Sequence, residues 1–191
     1  MRAAVLYENG KPIKVESDID IIAPRAGEVR VNVAYCSLCH SDYSVLSGAM
    51  GPIQGPIILG HEAAGVVESI GEGVHHLAVG DHVVLTPVPP CGSCYYCQRG
   101  DHSLCTNGHG IATNRLPDGQ TGLSQQGNEI LRGVGVGALA EQVISPASGA
   151  IKIPDDIPLE IACVVGCAMQ TGVGAVLNTA KVEVGATVLV L

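Results

Sequence analysis

Residues 60–74 read GHEAAGVVESIGEGV. Gly60 and Gly71 flank a run of small and β-branched side chains, residues 63–70, that suits a short strand, and the run is preceded by two ligand-type residues, His61 and Glu62. The same texture recurs on either side. Residues 3–7, 28–34, 82–86 and 139–144 read as further short strands, with glycine and proline punctuating them at close intervals. Many short strands with little helix predict a mostly β domain, compact and largely antiparallel, of barrel or sandwich type. The composition agrees: there is no Phe or Trp and there are only 5 Tyr, so Val, Ile, Leu and Ala must pack the core. One helical turn is expected near Ser41 or Asp42, either of which can cap the amides that follow.

After Pro154 the character changes. PLEIACVVGC (158–167) and TGVGAVLNTAKV (171–182) read as helical, with Pro158 suited to an early helical position and Lys181 to the negative end of the second helix. Gly185 breaks the pattern, and ATVLVL (186–191) is a continuous apolar run of the kind found in buried parallel strands. A sequence cut just before the glycine-rich turn of a dinucleotide-binding unit would look like this; a terminal strand of the β domain is the alternative. The expected division is residues 1–157 and 158–191.

Eight cysteines carry most of the chemistry. Cys91, Cys94, Cys97 and Cys105 lie in CGSCYYCQRGDHSLC, where two-residue gaps aim neighbouring thiolates at one point and the longer gap returns a fourth to close a tetrahedron, as in structural zinc sites. Disulfides fit poorly with an N-terminus, MRAAVLYENGKPIKVE, that lacks an apolar leader. An iron–sulfur pattern would bring its fourth cysteine sooner and follow it with proline, whereas Thr106 follows Cys105. A nucleic-acid-binding zinc module would bring a basic surface, but 18 acidic residues outweigh 10 basic ones for a net charge of −8. That acidity also argues against an anionic membrane surface as partner. No apolar run approaches a membrane span, and the chain reads as a cytoplasmic protein with neither nucleic acid nor membrane as partner.

A second set of ligand-type residues is scattered over three segments: Cys36, Cys39, His40 and Asp42 in CSLCHSD, His61 and Glu62 in GHEAAG, and Cys167 in VVGCAMQTG. Two thiolates and one imidazole would give zinc three protein ligands and an open fourth position, the arrangement of catalytic sites. From spacing alone, Cys36 and Cys39 are equally readable as a redox pair, and Cys163 and Cys167, one helical turn apart, as small buried hydrophobes.

GHEAAGVVESIGEGV, with CSLCHSD about twenty residues before it, the four-cysteine lobe after it and VVGCAMQTG later still, resembles the zinc-containing alcohol dehydrogenases of the medium-chain dehydrogenase/reductase superfamily, in motif and in order. The resemblance implies a GroES-like, barrel-type catalytic domain with a few helices over residues 1–157. Residues 158–191 would then be linking helices and the first strand of a Rossmann nucleotide-binding domain. It implies a zinc-dependent oxidoreductase that interconverts an alcohol and an aldehyde or ketone with NAD or NADP. Two zinc ions are implied: a catalytic one on Cys39, His61 and Cys167, and a structural one on Cys91, Cys94, Cys97 and Cys105. Cys36 matches no ligand.

The same resemblance implies that Asp42 accepts a hydrogen bond from the liganding His61, that Glu62 approaches the zinc during ligand exchange, and that the Ser41 hydroxyl touches the substrate oxygen. Thr171 would lie beside the nicotinamide and His40 would face the coenzyme pyrophosphate. Ser44 stands where well-known animal members have a histidine in the outer proton relay, and a hydroxyl relays a proton without acting as a base near neutral pH. The full-length protein would be a homo-dimer or homo-tetramer. The segment 112–131 resembles the longer connection of the branch that oxidises a thiol adduct of formaldehyde, which is the alternative activity; a zinc-stabilised module without chemistry is the alternative if 191 residues are the whole protein.

Overall fold

The computed structural model describes residues 1–108 and 110–190, so His109, which the sequence suggests is a surface or loop residue, and the Leu191 end of the expected last strand lie outside the described residues. The strands in chain order are β1 (Ala3–Leu6), β2 (Lys14–Glu16), β3 (Ile19–Ile21), β4 (Glu28–Ser37), β5 (Ile57–Ile58), β6 (Glu62–Ile70), β7 (His82–Leu85), β8 (Leu123–Gln125), β9 (Asn128–Glu129), β10 (Leu131–Arg132), β11 (Gln142–Pro146) and β12 (Ala150–Lys152). They form a five-stranded sheet in the order β11-β4-β6-β7-β12, a four-stranded sheet β10-β5-β1-β2 and a three-stranded sheet β3-β8-β9.

The five-stranded sheet holds the site. In β4 the alternation Val29, Val31 sends two fully buried side chains inward against Ala63 and Val67 of β6 and Val83 and Leu85 of β7. The β4–β6 pairing is antiparallel, from Val29↔Ile70 to Ser37↔Glu62, and is interrupted by register shifts at Arg30/Val31 and Val33/Tyr35. Such bulges bend a strand and sharpen its twist, which curls the sheet into a half-barrel. Because the ladder closes on Ser37 and Glu62, the residues just after β4 and just before β6 must lie side by side. Those residues include Cys39 and His61.

Several expectations need correcting. The strand expected at 139–144 starts at Gln142, because Leu139 instead pairs its amide with Leu59 and accepts from Ala4, and Ala3 bridges Ala140. The first helix, α1 (His40–Ser47), is capped by Cys39 rather than by Ser41 or Asp42. Asp42 sits inside the first turn and its carboxylate reaches back to the Cys39 amide at 3.1 Å, a capping-box arrangement. Two short helices follow in the loops, α2 (Tyr95–Gln98) and α3 (Gly110–Thr113).

The C-terminal helices are more broken than their pattern suggests: α4 (Leu159–Ala162) runs into a 3₁₀ turn (Cys163–Gly166), and α5 (Ala168–Gly174) into a wide turn (Ala175–Thr179). The two halves turn by 55° at Cys167. Lys181 falls beyond the last turn, in a left-handed conformation of φ 49°. Residues 186–190 are exposed and pair with no strand among the described residues; an apolar strand needs neighbours that these residues do not supply. Among the described residues no single helix is long and apolar enough to cross a membrane.

Candidate metal centre and its cavity

The curled sheet brings three distant segments to one point. One ligand atom each from Cys39, His61, Glu62 and Cys167 lies within 4.8 Å of the others. Cys39 Sγ and Cys167 Sγ are 4.0 Å apart. Sulfurs held tetrahedrally about 2.3 Å from a zinc are about 3.8 Å apart, so this pair is close to a ligating separation.

His61 supplies the most direct test of fit. Its side chain is fully buried, Nδ1 faces Asp42 Oδ1 at 3.2 Å, and Nε2 has no hydrogen-bond partner. A buried polar atom without a partner is costly, and a cation at Nε2 would satisfy it. Asp42, itself buried, also accepts the amides of Gly60 at 2.9 Å and Cys39 at 3.1 Å, so one carboxylate orients all the local parts. Burial raises the Asp42 pKa, but the His61 hydrogen bond and these amides outweigh it and hold the carboxyl below its ordinary value. Burial likewise opposes charge on His61, and Asp42 and Cys39 outweigh it to raise that pKa.

The two thiols divide. Desolvation raises the Cys39 pKa, yet the Ser41 amide and hydroxyl and the His61 ring bring it below its ordinary value. Desolvation and the neighbouring Cys39 sulfur push Cys167 up to about 11. Two adjacent sulfurs cannot both carry negative charge without a compensating cation, which this donor set is shaped to take. Glu62, almost wholly buried, accepts the Ala168 amide at 3.0 Å and so ties the Cys167 turn to β6.

Two glycines make the convergence possible. Gly60 adopts φ +90°, and a Cβ there would lie 2.8 Å from Cys36 Sγ. At Gly166 a Cβ would lie 2.1 Å from the Leu85 carbonyl oxygen, so the turn before Cys167 can press onto the end of β7 only as glycine. Gly166→Ala is expected to cost about 2–4 kcal/mol, as overpacking against backbone does. Thermal unfolding followed by circular dichroism checks this, and an unchanged melting temperature would remove the close approach from the account of the site.

A cavity of about 490 Å³ opens onto this cluster, lined by Ser41, His61, Cys167 and Thr171 and by apolar side chains such as Val45 and Val88. Ser41 Oγ is 3.7 Å from Cys39 Sγ. His40 lies on the exposed surface with its ring 5.6 Å from that of Tyr43 and does not line the cavity. Ser44 does not line it either; its carbonyl accepts the Met50 amide and the Ser47 hydroxyl. Cys36 packs behind the cluster against Gly60 and is not among the four groups that converge there, and burial with the Asp42 charge pushes its thiol up to about 12. Cys163 is buried in the small cluster of Ala64, Val84 and Ala162. Asn114 and Val134 also line the cavity, and sequence reasoning passed over both because neither is a ligand type. A valine between two glycines was the available signal.

The second cluster is closed. The sulfurs of Cys91, Cys94, Cys97 and Cys105 lie within 4.8 Å of one another, and amides point at them: Cys94 N to Cys91 Sγ at 3.3 Å, Cys97 N to Cys94 Sγ at 3.5 Å and Cys91 N to Cys105 Sγ at 3.3 Å. Hydrogen bonds from the Ser93 hydroxyl and amide and the Cys94 amide lower Cys91 to about 5, and the Cys97 and Thr106 amides lower Cys94 to about 7. Burial holds Cys97 up at about 12. Amides aimed at sulfur suit thiolates, and four sulfurs with no open side suit a structural zinc.

The curled β domain thus carries one Cys/His cluster open to a cavity and one four-cysteine cluster away from it, each able to hold a metal ion. Residues 25–155 match the family described as alcohol dehydrogenase GroES-like domain, and the chain belongs to it. It is 41% identical over 191 residues to an alcohol dehydrogenase class-3 of Drosophila melanogaster, covering 97% of this chain and 49% of that protein. It is 39% identical to an S-(hydroxymethyl)glutathione dehydrogenase of Komagataella pastoris, covering 96% and 48%. The crystal structure of an alcohol dehydrogenase zinc-binding domain protein from Burkholderia ambifaria superposes with a TM-score of 0.88 at 38% identity, covering 97% of this chain and 50% of that one. The chain thus spans about half the length of the curated relatives it matches.

Proposed function

We propose that this chain is the metal-bearing part of a zinc-dependent alcohol dehydrogenase, with residues 1–157 as its catalytic domain and residues 158–191 leading into the nucleotide-binding domain. The observation that carries the reading is the fully buried His61 whose Nε2 has no partner, set with Cys39 and Cys167 at the wall of a cavity. Cys39, His61 and Cys167 would hold the catalytic zinc, and Cys91, Cys94, Cys97 and Cys105 the structural one. The catalytic zinc supplies Lewis acidity that favours negative charge on a substrate oxygen.

The chain's own groups do the rest. Asp42 fixes the tautomer and ring plane of His61 through Nδ1. Ser41 Oγ, on the cavity wall beside Cys39, accepts a hydrogen bond from the alcohol hydroxyl and relays its proton onward, passing its own hydroxyl proton to water as it receives the alcohol's. Val45 and Val88 exclude water, so the carbon that loses hydride faces an apolar wall. Thr171, also on the wall, would orient the nicotinamide of NAD or NADP, the hydride acceptor, and His40 would meet its pyrophosphate. Glu62, held against the Ala168 amide, would approach the metal when ligands exchange.

The identity to the Komagataella pastoris protein supports a second substrate, the hydroxymethyl adduct of a thiol. Six cysteines gathered into two metal clusters suit a reducing compartment, the cytoplasm, and the exposed Val173, Val176 and Leu177 suit a protein that buries this face in a larger homo-dimer or homo-tetramer. The test is reduction of NAD and of NADP by the zinc-loaded full-length protein, with a panel of alcohols and with formaldehyde in the presence and absence of glutathione. Turnover of alcohols without thiol is expected. Strict dependence on the thiol would favour the adduct, and no reduction with any substrate would sink both.

A further inference from the structure

One stretch of the cavity wall carries a side chain that its backbone disfavours. In the strap 133–135, Gly-Val-Gly, neither flanking position has room for a Cβ. At Gly133 it would lie 2.8 Å from the Ile58 carbonyl oxygen, and at Gly135 2.7 Å from the Gly110 carbonyl carbon. Between them Val134 adopts φ 55°, ψ 28°, the left-handed region that a β-branched residue rarely enters. By its torsions the middle position asks for glycine too, yet it carries an isopropyl group, and that residue lines the cavity with Ile111 and Val88.

The strained turn is held from outside. The Val134 amide donates to Asn114 Oδ1 at 3.1 Å. Asn114 is itself left-handed at φ 56°, which asparagine tolerates, and it is anchored by its own amide to the Gly110 carbonyl at 2.8 Å and by its carbonyl to the Arg132 amide at 3.0 Å. Strain of this kind persists only where the surroundings over-determine it, and it gathers at binding sites. No Asp, Glu, Lys or Arg lines this cavity among the described residues.

We infer that Val134 sets the width of the cavity for an uncharged alcohol and is kept in its strained conformation by the positioning residue Asn114, so that small alcohols are preferred to branched or aromatic ones. The inference rests on the alcohol dehydrogenase reading above. Three variants of the zinc-loaded full-length protein test it: Val134→Gly, Val134→Ala and Asn114→Gly. Val134→Gly is expected to melt a few degrees higher, because it releases the left-handed strain, whereas Val134→Ala keeps a Cβ in that conformation, loses the isopropyl contacts and melts below Val134→Gly.

Both are expected to shift the kcat/KM ratio of a branched or aromatic alcohol to a linear one roughly tenfold or more towards the bulky substrate. Asn114→Gly keeps the φ and deletes a carboxamide that itself lines the cavity; it is expected to shift the ratio in the same direction, and by more with valine present than alongside Val134→Gly, where only its direct share of the wall is lost. The same ratio read from thermal shifts caused by the two alcohols requires no turnover. Loss of turnover with a shifted binding ratio therefore fails the enzyme reading alone. A ratio unchanged in Val134→Gly overturns the wall, a lower melting temperature in that variant overturns the strain, and equal shifts by Asn114→Gly with and without valine at 134 overturn the positioning role.

Discussion

His61→Ala in the full-length protein is expected to remove one of two zinc ions and to abolish dehydrogenation, a fall in kcat/KM of more than about a thousandfold. The magnitude follows from what the histidine does. Its Nε2 is a buried, unpartnered atom at the cluster, and without it only two adjacent sulfurs, Cys39 and Cys167, and the Glu62 carboxylate remain there. Changing only the outer partner of a liganding histidine typically costs about 10–100-fold in metal affinity or activity, so Asp42→Asn should fall in that range and His61→Ala well beyond it. Zinc per chain by elemental analysis, beside steady-state kinetics, measures both. Retention of full zinc and full activity in His61→Ala would refute the assignment of the open cluster. The fold should survive, because the sheet around it is held by Val29, Val31, Val67 and Leu85, none of which touches metal chemistry.

Cys97→Ser is expected to be the most damaging single change to folding. Cys97 is the buried member of the closed cluster, and α2 around it is a single short helix in a lobe with few buried apolar side chains of its own. Such a lobe depends on metal: a structural zinc contributes roughly 10–16 kcal/mol of apparent binding free energy, which here is folding free energy of residues 91–105. The variant should lose the other zinc and become cleavable by protease within 91–105, while the open cluster keeps its ion. Treatment of the unaltered protein with a strong chelator should produce the same cleavage. If Cys97→Ser keeps its full zinc and the lobe resists protease, the structural role is wrong.

These two expectations differ in how much of them is legible in the chain alone. The closed cluster is local: Cys91, Cys94 and Cys97 are spaced by two residues, and a tight turn joins them whatever the rest of the protein does. The strands were also readable, since β4 and β6 are dense in valine and alanine and bounded by turn residues. What local pattern could not place was the end of an element whose partner is distant. Leu139 looks like strand, yet its hydrogen bonds go to Leu59 and Ala4, so β11 begins three residues later. The cap of α1 likewise fell to Cys39 because Asp42 was drawn back to its amide and to His61.

Spacing, turn residues and side-chain shape act over a few residues, so the chain alone specifies the residue types of both clusters, their order and a β domain of short strands. Spacing does not bring Cys39, His61 and Cys167 together; their convergence, which the family resemblance implies, depends on two bulges in β4, on the close approach of Gly166 to Leu85 and on one buried carboxylate, all long-range features of the folded chain. Only the tertiary structure decided that Val134 is a wall rather than a bystander. A left-handed valine is invisible in a string of letters, and it becomes intelligible only beside the Asn114 carboxamide that holds it and the cavity it faces.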